Sequence, residues 1–407
     1  MTRVIQTYKK KCIQCDRAGL IDLIDLGNSP WCNDFKKKPV KKYKLKVLIC
    51  KYCSGAQLDF VISKEKMFIK NYYLSSDNKE LINHFNSISK KIKSLYQLKK
   101  KHQRSILDIG SNDGAFLNFF KNDWQILGVD PSITASKLAN SKGIKTLKNF
   151  FNYSLAKKIS TNFDVIHASG VFFHVEELIS LIKGVKILLK TRGSLIIQFI
   201  YLNDLIKNYR FDQIYHEHLY YYNLKSLKIL LDRFDLEIFD AEKSKIHGGS
   251  MIAYVAHKGL KEKTKRFLNL ERFEDKEKNI FWQKVNKFQI EINQIKKNFQ
   301  TKVNKYLSRG KKIFILGVPA KGTTVANFFD FNQYRFGSAY DINKLKIGNN
   351  IPGTKIKILS EDKLKKEKIN KKNVFLILSW NYKKTILKKL RKKFGKDLNY
   401  FFPYNTR

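Results

Sequence analysis

The stretch Ser105-Ile-Leu-Asp-Ile-Gly-Ser-Asn-Asp-Gly-Ala-Phe-Leu117 narrows the fold more than any other part of the chain. A short apolar run enters a turn with glycines four residues apart, then leaves into an apolar helix start. Gly110 and Gly114 let the backbone pass close to a ligand with no Cβ in the way. Gln125-Ile-Leu-Gly-Val-Asp130-Pro-Ser132 follows as a second strand ending in an acid, placed to accept hydrogen bonds from both hydroxyls of a ribose. A third strand, Phe163–Ala168, and a fourth, Gly193–Gln198, complete an alternating pattern that predicts an α/β fold around a parallel sheet. The G-x-x-x-G spacing departs from the G-x-G-x-x-G turn that cradles a pyrophosphate. It suits S-adenosylmethionine (SAM), which has no phosphate, with NAD as the competitor. The candidate cofactor contacts are Asp108, Gly110, Asn112, Asp113, Gly114 and Asp130, although Asp113 could instead cap the following helix.

At 407 residues the chain exceeds a single core and should hold two or three domains. Four of its five cysteines form two pairs, Cys12-Ile-Gln-Cys15 and Cys50-Lys-Tyr-Cys53. Two such knuckles can place four thiolates tetrahedrally around one Zn²⁺. The strand-like runs LIDLIDLG and KLKVLIC between them predict a small β-domain. A disulfide framework would need an oxidising compartment, and nothing in the sequence suggests one. Four sulfur ligands leave zinc no open position, so the site should hold the fold and not do chemistry. Cys32, in Ser-Pro-Trp-Cys-Asn, reads as a packed or idle thiol.

A formal charge of +45 invites a nucleic-acid reading. The lysines, however, are spread along the whole chain and flank nearly every apolar segment, as solvated faces do. No uninterrupted apolar run is long enough to span a bilayer, and the N-terminus lacks the apolar core of a secretory signal. The expectation is a cytoplasmic monomer that acts on a small molecule, with no nucleic-acid or membrane partner.

In the last third, Phe281, Val285, Phe288, Ile292, Ile295, Phe299, Val303 and Tyr306 recur at spacings of three and four, one apolar face of a long helix ended by Gly310. That helix is expected to pack on its own domain. Lys311–Gly317 then reads as a buried strand entering a second glycine turn, Gly317 to Gly322. Lys321 in that turn is either a diphosphate ligand or one more exposed lysine.

Several of these words, in this order, resemble the zinc-containing, SAM-dependent sugar C-methyltransferases that make branched deoxysugars. The likeness rests on Asp108-Ile-Gly-Ser-Asn-Asp-Gly114, Leu127-Gly-Val-Asp-Pro-Ser132, Val171-Phe-Phe-His174-Val, Tyr215-His216-Glu217-His218 and Ile246-His247-Gly-Gly-Ser250-Met. Gly317-Val-Pro-Ala-Lys321-Gly-Thr and Tyr340-Asp341-Ile-Asn343 extend it to the C-terminus. Two departures are visible: Gly170 stands where the family usually has Asn, and Pro319 interrupts a usually alanine-rich turn. The resemblance implies a zinc domain (1–71), a SAM-binding catalytic domain (72–258) and a C-terminal Rossmann-like domain (259–407). It implies a nucleotide-linked, usually dTDP-linked, 4-keto-6-deoxy sugar methylated at C3. His218 is then the expected base, with Glu217 orienting it or touching the sugar and Tyr215 hydrogen-bonding the substrate. His174 would polarise the ketone or share the proton transfer. Tyr72 or its neighbour Tyr73 stands where the family has a substrate-facing tyrosine, and His247, Gly248 and Lys321 complete the substrate candidates.

Such chemistry needs a carbon nucleophile, made by removing a proton beside a carbonyl, and histidine is the side chain best matched to that task near neutrality. Read without the resemblance, the H-x-H pair could be structural, or a metal site whose third ligand is not evident. A nucleic-acid methyltransferase with a zinc knuckle and an NAD-linked sugar oxidoreductase are the competing functions.

Overall fold

The computed structural model describes residues 11–69, 73–96, 103–365, 373–395 and 398–404. The first strands are β1 (Leu20–Pro30), β2 (Lys42–Cys50) and β3 (Ala56–Leu58). The middle of the chain gives β4 (Arg104–Ile109), β5 (Trp124–Val129), β6 (Thr146–Leu147), β7 (Phe163–Ser169), β8 (Leu189–Ile200), β9 (Tyr220–Tyr221), β10 (Leu236–Ser244) and β11 (Ser250–His257). The last third adds β12 (Lys312–Leu316), β13 (Ser338–Asp341), β14 (Lys357–Ser360), β15 (Asn373–Ile377) and β16 (Asn399–Phe401).

These strands form three sheets. The first is antiparallel, in the order β1-β2-β3-β9. Tyr43, Leu45, Val47 and Ile49 of β2 are buried while the residues between them are more open, the two-residue period of a sheet with one covered face. The central sheet runs β10-β11-β8-β7-β4-β5-β6. Its strands from β8 to β6 are parallel neighbours, and β11 is antiparallel to both β8 and β10. Ile106, Leu107, Val165, Ile166, Leu195 and Ile197 are fully buried on both faces, as helix-covered parallel strands must be. The third sheet, β14-β13-β12-β15-β16, is parallel throughout.

The strand order reverses beside β4 in the central sheet, and the crevice beyond the carboxyl ends of β4 and β7 is where such sheets take ligands. One strand escaped the sequence reading. Thr146–Leu147 is only two residues long, too short to show a period, so Phe163–Ser169 is the fourth strand of this unit and not the third.

The long helix spans Lys278–Ser308 and buries Phe281, Val285, Phe288, Ile292, Phe299 and Val303 as the periodicity requires. Its packing is wider than expected. It lies against β12 of its own domain, but also against β1 and the helix Leu202–Lys207, and Gln289 Oε1 accepts the Asp25 amide at 2.7 Å. A stripe thirty-one residues long is longer than one small sheet can cover, so it struts all three units together. Among the described residues no helix is long and apolar enough to cross a membrane.

Candidate active site

The carboxyl ends of β4, β5, β7 and β8 open onto a cleft of about 770 Å³ that is also lined from the first and third sheets. On its cofactor side, Asp130 ends β5 with both oxygens directed by backbone amides: Ser132 N–H reaches Oδ1 at 2.8 Å and Asn112 N–H reaches Oδ2 at 2.9 Å. Burial pushes this carboxyl up to about 6. Each oxygen keeps lone-pair capacity for a ribose hydroxyl. Gly110 has φ +71°, and a Cβ there would meet Val171 Cγ2 at 2.6 Å, so only glycine lets the turn close over the strand ends. Asn112 lines the cleft and ties the turn to the preceding segment, accepting the Ser75 amide at 2.8 Å and donating to the Tyr73 carbonyl at 3.0 Å.

Asp113 and Gly114 are placed differently from the sequence expectation. Asp113 is fully buried and does not line the cleft; its carboxylate lies 3.0 Å from Lys142 Nζ, and it caps no described helix. Gly114 is glycine for packing: a Cβ would lie 2.6 Å from Ile144 Cδ1, at φ +77°. Asp108 does line the cleft, but its Oδ1 is engaged in a hydrogen bond with His167 Nδ1 at 2.7 Å. That histidine, stacked on Phe116 at 3.7 Å, was missed because β7 reads as an apolar run. Gln198 was missed for the same reason. At the end of β8 it accepts from Ser169, donates to Ser250 and lies 2.7 Å from His84 Nε2. A polar residue recurring at the carboxyl end of each apolar strand was the available signal.

The Tyr215–His218 segment sits across the cleft from this floor. Three of its four side chains, those of Tyr215, Glu217 and His218, line the cavity. His216 does not: its Nε2 bonds the Lys44 carbonyl at 3.1 Å and its ring rests among Tyr43 and Phe60. His218 Nδ1 lies 2.6 Å from the Gln213 carbonyl oxygen, and His174 Nδ1 lies 2.5 Å from the Glu217 carbonyl oxygen. A carbonyl can only accept, so Nδ1 carries a proton on both rings and Nε2 is the basic nitrogen of each neutral imidazole. The two rings are 5.1 Å apart, and Tyr215 stacks on His218 at 3.7 Å. Glu217 Oε1 accepts from Trp31 Nε1 at 2.5 Å and Asn33 Nδ2 at 2.7 Å, with the Cys32 thiol at 3.7 Å. Burial raises the Glu217 carboxyl above its ordinary range.

Lys321 is not an exposed lysine. It is buried at the first turn of helix Ala320–Phe328, lies 3.8 Å over the Trp380 ring, and is 3.9 Å from Asp212. Burial brings its ammonium down to about 8, and its Nζ has no hydrogen-bond partner among the described residues. Of the remaining substrate candidates, Gly248 stands off the cleft, and a Cβ there would run into Trp380, so its lack of a side chain makes room for that ring. His247 belongs to the turn Ile246–Gly248. Tyr72 lies outside the described residues, whereas Tyr73 lines the cleft.

Cys12, Cys15, Cys50 and Cys53 are free thiols whose sulfurs all lie within 4.8 Å of one another. The Cys12–Cys53 and Cys15–Cys50 pairs are 3.6 Å apart. A tetrahedron with zinc–sulfur bonds of about 2.3 Å has edges of about 3.8 Å, so the four residues fit Zn²⁺ with no position left open.

A Rossmann-like sheet with an antiparallel final strand, an acid at the tip of its second strand and a separate tetrathiolate site define a SAM-dependent methyltransferase with a zinc-binding domain. Three family models match in succession: a zinc binding domain over residues 12–68, a methyltransferase domain over 71–241, and a C-methyltransferase C-terminal domain over 245–403. The chain is 24% identical to the C-methyltransferase NovU of Streptomyces niveus, over 93% of this chain and 91% of that protein. Among solved structures, it is similar to the plantazolicin methyltransferase BpumL in complex with SAH (21% identity, 45% of this chain, 87% of that chain, TM-score 0.36). It is also similar to magnesium protoporphyrin IX methyltransferase from Synechocystis PCC 6803 with bound SAM (13% identity, 43% and 79%, TM-score 0.33). The three models together run from residue 12 to 403, and with the full-length likeness to NovU they are consistent with the zinc-containing C-methyltransferase family.

Proposed function

We propose that the protein methylates C3 of a nucleotide-linked, dTDP-linked for preference, 4-keto-6-deoxy sugar, with residues 1–71, 72–258 and 259–407 as its zinc, catalytic and C-terminal domains. The observation that carries this reading is the pair of imidazoles, His218 and His174, facing one cleft with the Asp130 floor and the buried Lys321. SAM, when bound along Gly110, Asn112 and Asp130, supplies a methyl group on sulfonium. His218 Nε2 takes the C3 proton, and the electron pair moves onto the ketone as an enolate. The Tyr215 hydroxyl, on the same wall, donates to the oxygen as its charge grows, and His174, whose Nδ1 proton is held by the Glu217 carbonyl, offers Nε2 to share the proton transfer. Glu217 shapes this wall from behind. Lys321, at a helix N-terminus, supplies the charge that a diphosphate needs. Asp108 and His167 set the floor beneath the methyl donor.

The test is to incubate the protein with SAM and dTDP-4-keto-6-deoxyglucose and follow SAH release and a one-methyl mass gain on the sugar by mass spectrometry. Methylation on carbon, located at C3 by NMR, supports the proposal. Titration calorimetry showing tight NAD binding and no SAM binding would sink it, as would methyl transfer to RNA with none to keto sugars.

A further inference from the structure

The zinc knuckles stand outside the cleft, yet the segment that carries the acid–base cluster is built into the sheet they hold. Five of the six residues 216–221 are tied to that sheet. His216 Nε2 bonds the Lys44 carbonyl in β2. Glu217 Oε1 takes the Trp31 and Asn33 donors from the turn that ends β1. The Leu58 amide donates to the Leu219 carbonyl at 2.9 Å. Tyr220 and Tyr221 pair with Gln57 and Ala56 of β3. Gln14, which lies between the two cysteines of the first knuckle, donates to both the Ala56 and the Tyr221 carbonyls, at 3.2 and 3.3 Å. The second knuckle adjoins the same place, since the Cys50 amide bonds the Gly55 carbonyl at 2.9 Å, one residue before β3.

Local sequence does not require this arrangement. Residues 216–221 could close the cleft as a free loop of the catalytic domain, but a two-residue strand has no stability of its own. Its position is set on one side by the Phe173 carbonyl, which accepts the Leu219 amide at 2.7 Å, and on the other by β3 and Gln14, which the two cysteine knuckles flank. At the other end of β1, Trp31, Cys32 and Asn33 converge on one oxygen of a buried carboxylate, and the Cys32 carbonyl is held in turn by Thr323 Oγ1 at 3.1 Å. Three donors on Oε1 fix the plane of the carboxylate and leave Oε2 as the oxygen that can meet the cleft.

We infer that the zinc-bearing sheet is the positioning element of the acid–base cluster: Trp31 and Asn33 act through Glu217, and the metal site acts through Gln14 and β3 on the strand that follows His218. This rests on the reading of Glu217 and His218 as active-site groups, so the experiment has one arm that needs no substrate. In that arm, zinc is withdrawn from the full-length protein with a chelator, its release is followed colorimetrically, and amide hydrogen exchange is mapped by mass spectrometry. Residues 216–222 should lose protection while 104–130 keep theirs, and SAM affinity by calorimetry should change less than about twofold. Unchanged protection at 216–222 overturns the inference. So does loss of protection across the whole chain, which would make the metal a general staple.

The second arm uses Trp31→Phe, which keeps the ring and removes the N–H, and Asn33→Ala. Each should lower kcat by about ten- to a hundredfold, as small misplacements of a catalytic group do, with the SAM KM unmoved. Neither should lower it further in a Glu217→Gln background. Multiplying losses in the double variants overturn the assignment to Glu217. Should the wild type methylate no keto sugar, the proposed function fails while the exchange arm still decides the positioning role.

Discussion

His218→Asn separates the anchor of this side chain from the basic role proposed for its imidazole. The Asn amide nitrogen can reach the Gln213 carbonyl in place of Nδ1, now at 2.6 Å, and so keep the side chain's anchor. It has nothing in the place of Nε2. General-base assistance is worth about 10²–10⁴ in rate, or about 2.7–5.5 kcal/mol at 1.36 kcal/mol per decade. The packing loss is smaller. The ring stacks on Tyr215 at 3.7 Å and meets Phe173 edge-on at 4.9 Å, contacts worth about 0.5–1.5 kcal/mol each. Turnover should therefore fall by two to four decades in a protein that still folds and still binds SAM within about twofold. The sharper assay omits SAM. In D₂O the wild type should exchange the C3 proton of dTDP-4-keto-6-deoxyglucose, seen as loss of its NMR signal, and His218→Asn should not. Exchange at a near-native rate in His218→Asn, together with its loss in His174→Asn, would refute the reasoning and move the base to the neighbouring ring 5.1 Å away.

Asp130 must be ionised to accept two ribose hydroxyls, and burial holds it at about 6. SAM affinity should thus be flat above pH 7 and about tenfold weaker at pH 5, a dependence that calorimetry of Asp130→Asn should lack. Lys321 has the opposite sign, with its charge present below about pH 8 and lost above it. Binding of dTDP should weaken as pH rises through 8, and Lys321→Met should bind about ten- to a hundredfold more weakly at pH 7 and lose that slope. Gly114→Ala places a Cβ 2.6 Å from Ile144 at a backbone angle that alanine resists. It should cost about 1–3 kcal/mol in thermal melts while the folded fraction keeps native SAM affinity. A native melting curve, or an affinity loss without destabilisation, would restore Gly114 to the ligand.

What the sequence made legible is what local spacing controls. Two C-x2-C knuckles are short enough to fix their own sulfur geometry, and an apolar run such as Ile313–Leu316 declares a buried strand without help from the rest of the chain. The glycine turn shows where spacing stops being sufficient. Asn112 and Asp113 are adjacent and similar, yet one faces Tyr73 and Ser75 across the cleft while the other turns to Lys142. That choice depends on where Lys142 is brought back by the next helix. His167 reads as a polar interruption of a strand until β4 and β7 are in register, when it stands opposite Asp108. Lys321 reads as one lysine among many until Trp380, far along the chain, covers it. Glu217 is the extreme case. Its type and its neighbours mark it as a site residue, but the donors that fix it come from 184 to 186 residues upstream, in the metal-binding sheet. No periodicity in either segment encodes that meeting. It follows from β9 joining the first sheet, a pairing of two residues that only the assembled fold can stabilise. The tetrathiolate site, closed to chemistry by its own geometry, thereby stands one strand away from the residues proposed to do the chemistry.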